Sequence, residues 1–216
     1  MYRYSLLFLT LFFLIISCNK DDNGSTSEEQ EADSGFFALE VGNKWAYHYF
    51  RRDNETGELT NVGALEEVEI TGEEVINGET LYTVQINTSD PNNTCPICNN
   101  DPMLTTKVKD SLGYLVEVGG PIKFSSENTE DYIITDEEWG TVYRVLEPNE
   151  VQITVPVGQF VCKSNLRYAI LPNGERSEGQ DNLFYADGIG EVRQTFSTVN
   201  SLRILYEKHL VSYSVQ

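Results

Sequence analysis

From residue 36 onward the chain keeps a two-residue period and nowhere holds a helical one over three turns. Trp45, Tyr47 and Tyr49 alternate with Ala46, His48 and Phe50, and Val68 and Ile70 alternate with Glu67 and Glu69. Side chains two apart share one face of a strand, so this pattern describes half-buried strands. Ile76-Asn77-Gly78-Glu79 supplies the Asn-Gly pair of a two-residue hairpin, whose central residues both need positive φ. The return strand is 81–86. Pro172-Asn173-Gly174-Glu175 repeats the turn signal between strands predicted at 161–171 and 182–185. Further short strands are expected at 105–109, 114–118, 142–146, 151–155, 191–196 and 202–213, the spacing of a sandwich or barrel. Residues 127–139 are the best candidate for a short helix or irregular crossing. The expected fold is all-β: one domain over 36–216, a curved antiparallel sheet or half-barrel. Its long last strand pairs back toward the first and covers an exposed edge.

The N-terminus obeys different rules. Arg3 precedes an apolar run, Leu6 to Ile16, too short to span the roughly 20 residues of a bilayer core. A basic start, a short apolar core and a small residue before the cut make an export signal. Ile15-Ile16-Ser17-Cys18 resembles the lipobox of bacterial lipoproteins, with Ile15 where that box prefers Leu. The resemblance implies loss of residues 1–17 and acylation of Cys18, palmitate included, which becomes the first mature residue. Two or more acyl chains make such an anchor stable; one binds only marginally. Residues 18–35 read as the lipidated Cys18 followed by an acidic tether, too polar to offset its ordering entropy. A flexible chain of that length spans roughly 20–25 Å, enough to lift a domain off the headgroups. Lys20-Asp21-Asp22 resembles the charged signal that sends some Gram-negative lipoproteins to the cell surface. The expected location is the outer membrane, lipid-anchored, with surface display as the option that signal raises.

Charge removes a class of partners. With 15 basic against 34 acidic residues and a net charge of −19, the basic footprint of nucleic-acid binding is missing. The same acidity opposes anionic membrane surfaces, so acyl chains on Cys18 must make the bilayer contact.

Three motifs carry a second resemblance. Gly42-Asn43-Lys44-Trp45-Ala46-Tyr47, Val155-Pro156-Val157-Gly158-Gln159-Phe160 and Tyr185-Ala186-Asp187-Gly188-Ile189-Gly190 resemble elements of an uncharacterised group of exported all-β envelope proteins. The chain departs from that pattern at Glu191, where the group carries an apolar residue. The resemblance implies fold and envelope location, not chemistry. Pro156 ends a strand, and Gly188 and Gly190 suit a bulge or close strand crossing, so fold punctuation explains the motifs without a ligand.

Cys95-Pro96-Ile97-Cys98 is the sharpest chemical candidate. Export favours a disulfide, and with Cys18 lipidated the thiols are Cys95, Cys98 and Cys162. Chain entropy gives about 2 kcal/mol for a local Cys95–Cys98 bridge and about 4 kcal/mol for one to Cys162. Cys162 lies in a predicted buried strand, so the local staple is the expected pairing. A thiol oxidoreductase would need cations or a helix N-terminus beside the pair, and Asn and Asp surround it instead. No four-ligand metal site, no nucleophile elbow and no calcium-loop pattern occurs, leaving His48 and His209 as strand residues and Asp131, Asp136, Glu137 and Glu138 as a solvated run. Catalytic residues, metal and cofactor are therefore expected to be none. The expected function is a membrane-anchored, non-enzymatic envelope lipoprotein of unknown molecular activity with a binding or structural role, its partner an unknown envelope protein or small ligand. The alternatives are a carrier of an apolar ligand in a β half-barrel and a thiol oxidoreductase through Cys95 and Cys98.

Overall fold

A computed structural model describes residues 35–99 and 101–216; the signal, Cys18 and all of the tether before Gly35 lie outside them. Thirteen strands follow one another: β1 (Lys44–Arg52), β2 (Leu59–Ile76), β3 (Glu79–Ser89), β4 (Met103–Ser111), β5 (Tyr114–Glu117), β6 (Ile122–Ser125), β7 (Tyr132–Glu137), β8 (Gly140–Leu146), β9 (Val151–Val155), β10 (Gly158–Ile170), β11 (Asp181–Ala186), β12 (Gly190–Thr198) and β13 (Ser201–Ser214). Every pairing is antiparallel. The order β6-β5-β4-β3-β2-β1-β13-β12-β11-β10-β8-β7 places the last strand beside the first, with His48 opposite His209. The fold is all-β, a single sheet curved almost into a barrel.

Local chemistry explains the turns. Asn77 and Gly78 both take positive φ, 54° and 84°, and Ile76 pairs with Glu79 across them. The second Asn-Gly turn forms too, with Gly174 N–H donating to Leu171 O at 2.8 Å. There the hairpin is looser than expected, because β10 resumes regular pairing with β11 only at Arg167 and Asp181. Residues 127–139 are not helical: Tyr132–Glu137 is strand β7, paired with β8. Its Ile133 and Ile134 at adjacent positions blur the alternation that marks the other strands.

A half-barrel has two edges, here β6 and β7, and side chains of β8 and β10, next to the β7 edge, stitch across to β6. Asn165, fully buried on β10, donates to Ser125 O and accepts from Ser125 N–H, both at 2.8 Å. Its amide thus stands in for one rung of a strand ladder. Two residues earlier on β6, Lys123 O accepts from the Arg144 guanidinium of β8. Unpaired edge groups are in this way satisfied without another strand.

The three sequence motifs converge on one core. Trp45 Nε1 donates to Ile189 O at 2.6 Å, and the Tyr47 hydroxyl donates to Glu191 O at 3.1 Å. Gly190 has φ +96°, and a Cβ there would sit 3.4 Å from the Trp45 indole. The ring would tolerate that contact; it is the positive φ that favours glycine in the β11–β12 turn. The β9–β10 hairpin adds Ile153 and Val155 to the same core, beside Leu210 and Cys162.

Candidate functional site

Opposed residues of an antiparallel pair share a face, so register writes the inner wall of the half-barrel. Tyr47 lies opposite Glu66 and Leu210; Tyr49 lies opposite Lys208, which lies opposite Gln194. A bulge between β11 and β12 pairs Leu183 with Gln194 but Tyr185 with Glu191. The extra residue shifts parity, and Glu191 and Gln194, three apart, both face inward.

These rows enclose a cavity of about 360 Å³. Val84 and Ile86 of β3, Val108 of β4, Leu115 of β5 and Leu183 of β11 make much of its wall. Phe37 and Leu39 from the segment before β1 close part of it, and Phe37 meets Phe124 and Tyr185 edge-on. Leu104 lines the cavity yet is 38% exposed, which marks the open side.

Ionisable groups interrupt the apolar wall at two places besides the Glu117–Lys123 ion pair, which also lines it. On one side Lys208 Nζ lies 3.1 Å from Glu66 Oε1 and 2.7 Å from Glu191 Oε1, the latter an ion pair off the axis of a hydrogen bond. The Tyr49 hydroxyl donates to Glu66 Oε2 at 2.7 Å, and the ammonium stands 4.7 Å from the Tyr47 ring centre. Burial alone would lower Lys208, but Glu191 and Glu66 raise it well above an ordinary lysine. Burial pushes Glu66 up, and Lys208 with the Tyr49 hydrogen bond reverses that, leaving it lowered. Two carboxylates around one ammonium leave this side one negative charge in surplus.

Arg144 holds the other place. It is 7% exposed, and among the described residues no carboxylate pairs with it. One guanidinium nitrogen serves Lys123 O, while buried Nε has no partner. Burial lowers its affinity for a proton and neighbouring Arg167 adds to this, with the Tyr132 and Tyr185 phenols opposing. Tyr185 stands within electrostatic range of Arg144 and of the Lys208 cluster, and burial raises its phenol well above the ordinary value.

Motif residues Trp45, Tyr47, Tyr185, Gly190 and Glu191 line the cavity, but the cysteines, histidines and acidic run weighed for chemistry sit elsewhere. Cys95 and Cys98 form a disulfide with Cα atoms 5.4 Å apart, in a small core with Tyr49 and Ala64. Asp90 Oδ2 accepts from Cys95 N–H at 2.8 Å, which puts a carboxylate rather than a cation beside the pair. Cys162 is buried on β10, and burial lifts its thiol to about 12. His48 and His209 face each other on the outer side of the sheet, far from the cavity residues in strand parity. Asp131, Asp136 and Glu137 each accept from a hydroxyl, of Tyr168, Thr141 and Thr135 respectively. None of these residues lines the cavity. Sequence reasoning missed Arg144, a lone charge in β8, and Lys208, which sits between Glu207 and His209 in β13. It did flag Glu191 as a departure, and Glu66 shares its parity with Val68 and Ile70.

Comparisons with known proteins show the fold. No protein-family model matches the chain, and no curated protein matches it either. A Bacteroides fragilis protein of YmcC-like fold, assigned as exported, superposes with a TM-score of 0.52 at 12% identity, covering 83% of this chain and 99% of its own. A Parabacteroides distasonis protein assigned as a lipoprotein superposes at 0.50 with 14% identity, covering 83% of this chain and 98% of its own. At these identities the likeness extends to the β architecture and stops there.

Proposed function

We propose that the chain is a non-enzymatic, lipid-anchored envelope protein whose half-barrel holds an apolar small molecule. The cavity carries the reading. Its volume falls within the roughly 300–1,000 Å³ of small-molecule sites, with the apolar wall and few polar groups typical of them. The open side at Leu104 gives a ligand a way in.

Location at the outer membrane rests on Cys18 and its lipobox; the two solved proteins of similar fold, assigned as exported and as a lipoprotein, support export to the envelope. The acidic neighbourhood of Cys95–Cys98 supports a staple over an oxidoreductase. Cys18→Ala should move the exported chain from the membrane to the soluble fraction; a variant that still sediments with membranes would overturn the anchor. Native mass spectrometry tests the carrier. The full chain, released from non-ionic detergent, should take up one equivalent of hexadecanol or palmitate, and failure with both rejects the reading.

A further inference from the structure

The cavity wall holds two polar groups that the fold leaves unspent. Arg144 Nε is buried without a partner, and among the described residues the Tyr185 hydroxyl makes no hydrogen bond. Both residues line the cavity, and each lies within electrostatic range of the other.

The seam does not explain Arg144. Holding Lys123 O needs one N–H donor, not a charge; two residues along β6, the neutral amide of Asn165 does that work for Ser125. A guanidinium stays ionised in a protein, and an ion buried without a counter-charge is expensive. Elsewhere among the described residues the buried charges are compensated: Lys208 by Glu66 and Glu191, Glu207 by Arg52 and Arg193. Arg144 has the Tyr132 and Tyr185 phenols nearby and no carboxylate. A planar guanidinium fork and a free phenol O–H on the wall of one cavity are a donor set for an oxyanion.

Charge sets direction. The Glu66–Lys208–Glu191 cluster carries surplus negative charge and repels an anion, and Lys123 is already paired with Glu117, so among the described residues Arg144 is the uncompensated cation of the wall, with Tyr185 in range of both Arg144 and the cluster. Much of the remaining wall is apolar, through Leu115, Val108 and Val84.

We propose that the cavity binds a single-chain amphiphile by its one anionic head, which accepts hydrogen bonds from Arg144 and Tyr185 while the chain lies along the apolar wall. This rests on the carrier reading and sharpens it to a ligand class. A carboxylate and a phosphate monoester both supply such a head, so the experiment uses both.

Native mass spectrometry of the full chain is titrated with palmitate, hexadecyl phosphate and hexadecanol, which share one chain length. At least one of the two anions should bind tenfold or more tightly than the alcohol, since a hydrogen bond to a charged group is worth at least about that factor. The tighter anion names the source, fatty acid or phosphate ester. Tyr185→Phe removes only the unpartnered hydroxyl and should reduce the anion's advantage severalfold without altering thermal unfolding. Arg144→Gln, which keeps a donor for Lys123 O, should bring the anion down to the alcohol's affinity. Equal binding of alcohol and anions by the unaltered chain, or anion affinity unchanged in Tyr185→Phe and Arg144→Gln, overturns the head assignment while leaving the carrier standing. No uptake of any of the three removes both.

Discussion

Lys208→Met should destabilise the domain by about 3–5 kcal/mol at neutral pH and make it gain stability on mild acidification. The ammonium separates two carboxylates in a largely apolar wall, 3.1 Å from Glu66 and 2.7 Å from Glu191. Met fills similar volume but leaves two like charges with no cation between them. Each then opposes ionisation of the other, and burial adds to the effect, so both carboxyls rise above their unfolded values near 4.3. A folded-state pKa raised above the unfolded one contributes stability that is present at low pH and lost as pH climbs through it. The variant's urea midpoint should therefore increase from pH 7.5 to pH 5.5. In the unaltered chain the sign is opposite, because Glu66 is lowered and its contribution disappears as pH falls below the ordinary glutamate range. Adding Glu66→Gln and Glu191→Gln to Lys208→Met should recover most of the loss, since a neutral, well-packed cluster is often as stable as a buried ion pair. A Lys208→Met midpoint that is unchanged, or independent of pH, would show that the carboxylates are solvated and the cluster inconsequential.

The strands of this fold are written in the sequence more plainly than the site they build. Trp45, Tyr47 and Tyr49 are buried on one face because alternation is a property of the backbone and needs no knowledge of neighbours. Asn77-Gly78 is legible for the same local reason. The β4–β5 turn is not, because Leu112, 93% exposed, takes positive φ (54°) beside Gly113, a conformation that costs a non-glycine residue about 1–2 kcal/mol. Parity can be counted only until a bulge resets it, so Glu191 and Gln194 cannot both be assigned inward from the sequence. Arg144 is harder still. Its meaning depends on what fails to stand opposite it, and a missing counter-ion is a statement about the whole barrel. Closure is equally non-local, since nothing in the vicinity of Asn165 announces that its amide will replace a rung for Ser125, 40 residues away.

The outer face of the same strands carries a second charge cluster, and here pH should act in the opposite sense to Lys208→Met. Glu207 is fully buried and pairs with Phe50 and Thr195 in register, on the side of the sheet away from Lys208. Arg52 Nε and Nη2 donate to Oε1 at 2.8 and 2.5 Å; Arg193 Nε and His209 Nε2 lie 2.8 Å from Oε2. One carboxylate thus ties β1, β12 and β13 together. Burial pushes Glu207 up, but the His209 hydrogen bond and the charges of Arg193 and Arg52 outweigh it and hold the carboxyl at about 2. The folded value is below the unfolded one, so this stabilisation is complete above the ordinary glutamate range and drains away as pH falls toward 2. Glu207→Gln keeps the shape, removes the charge and leaves two guanidinium groups facing each other. Because both arginines keep part of their surface in water, the cost should be about 2–4 kcal/mol at pH 7, below that of a wholly buried pair. Denaturant titrations of both chains at pH 7, 5 and 3 should show that gap holding to pH 5 and narrowing by pH 3, as the unaltered chain loses what the variant never had. A gap of constant size across that range would mean that Glu207 acts through shape and hydrogen-bond count alone, and that its charge does not hold the three strands.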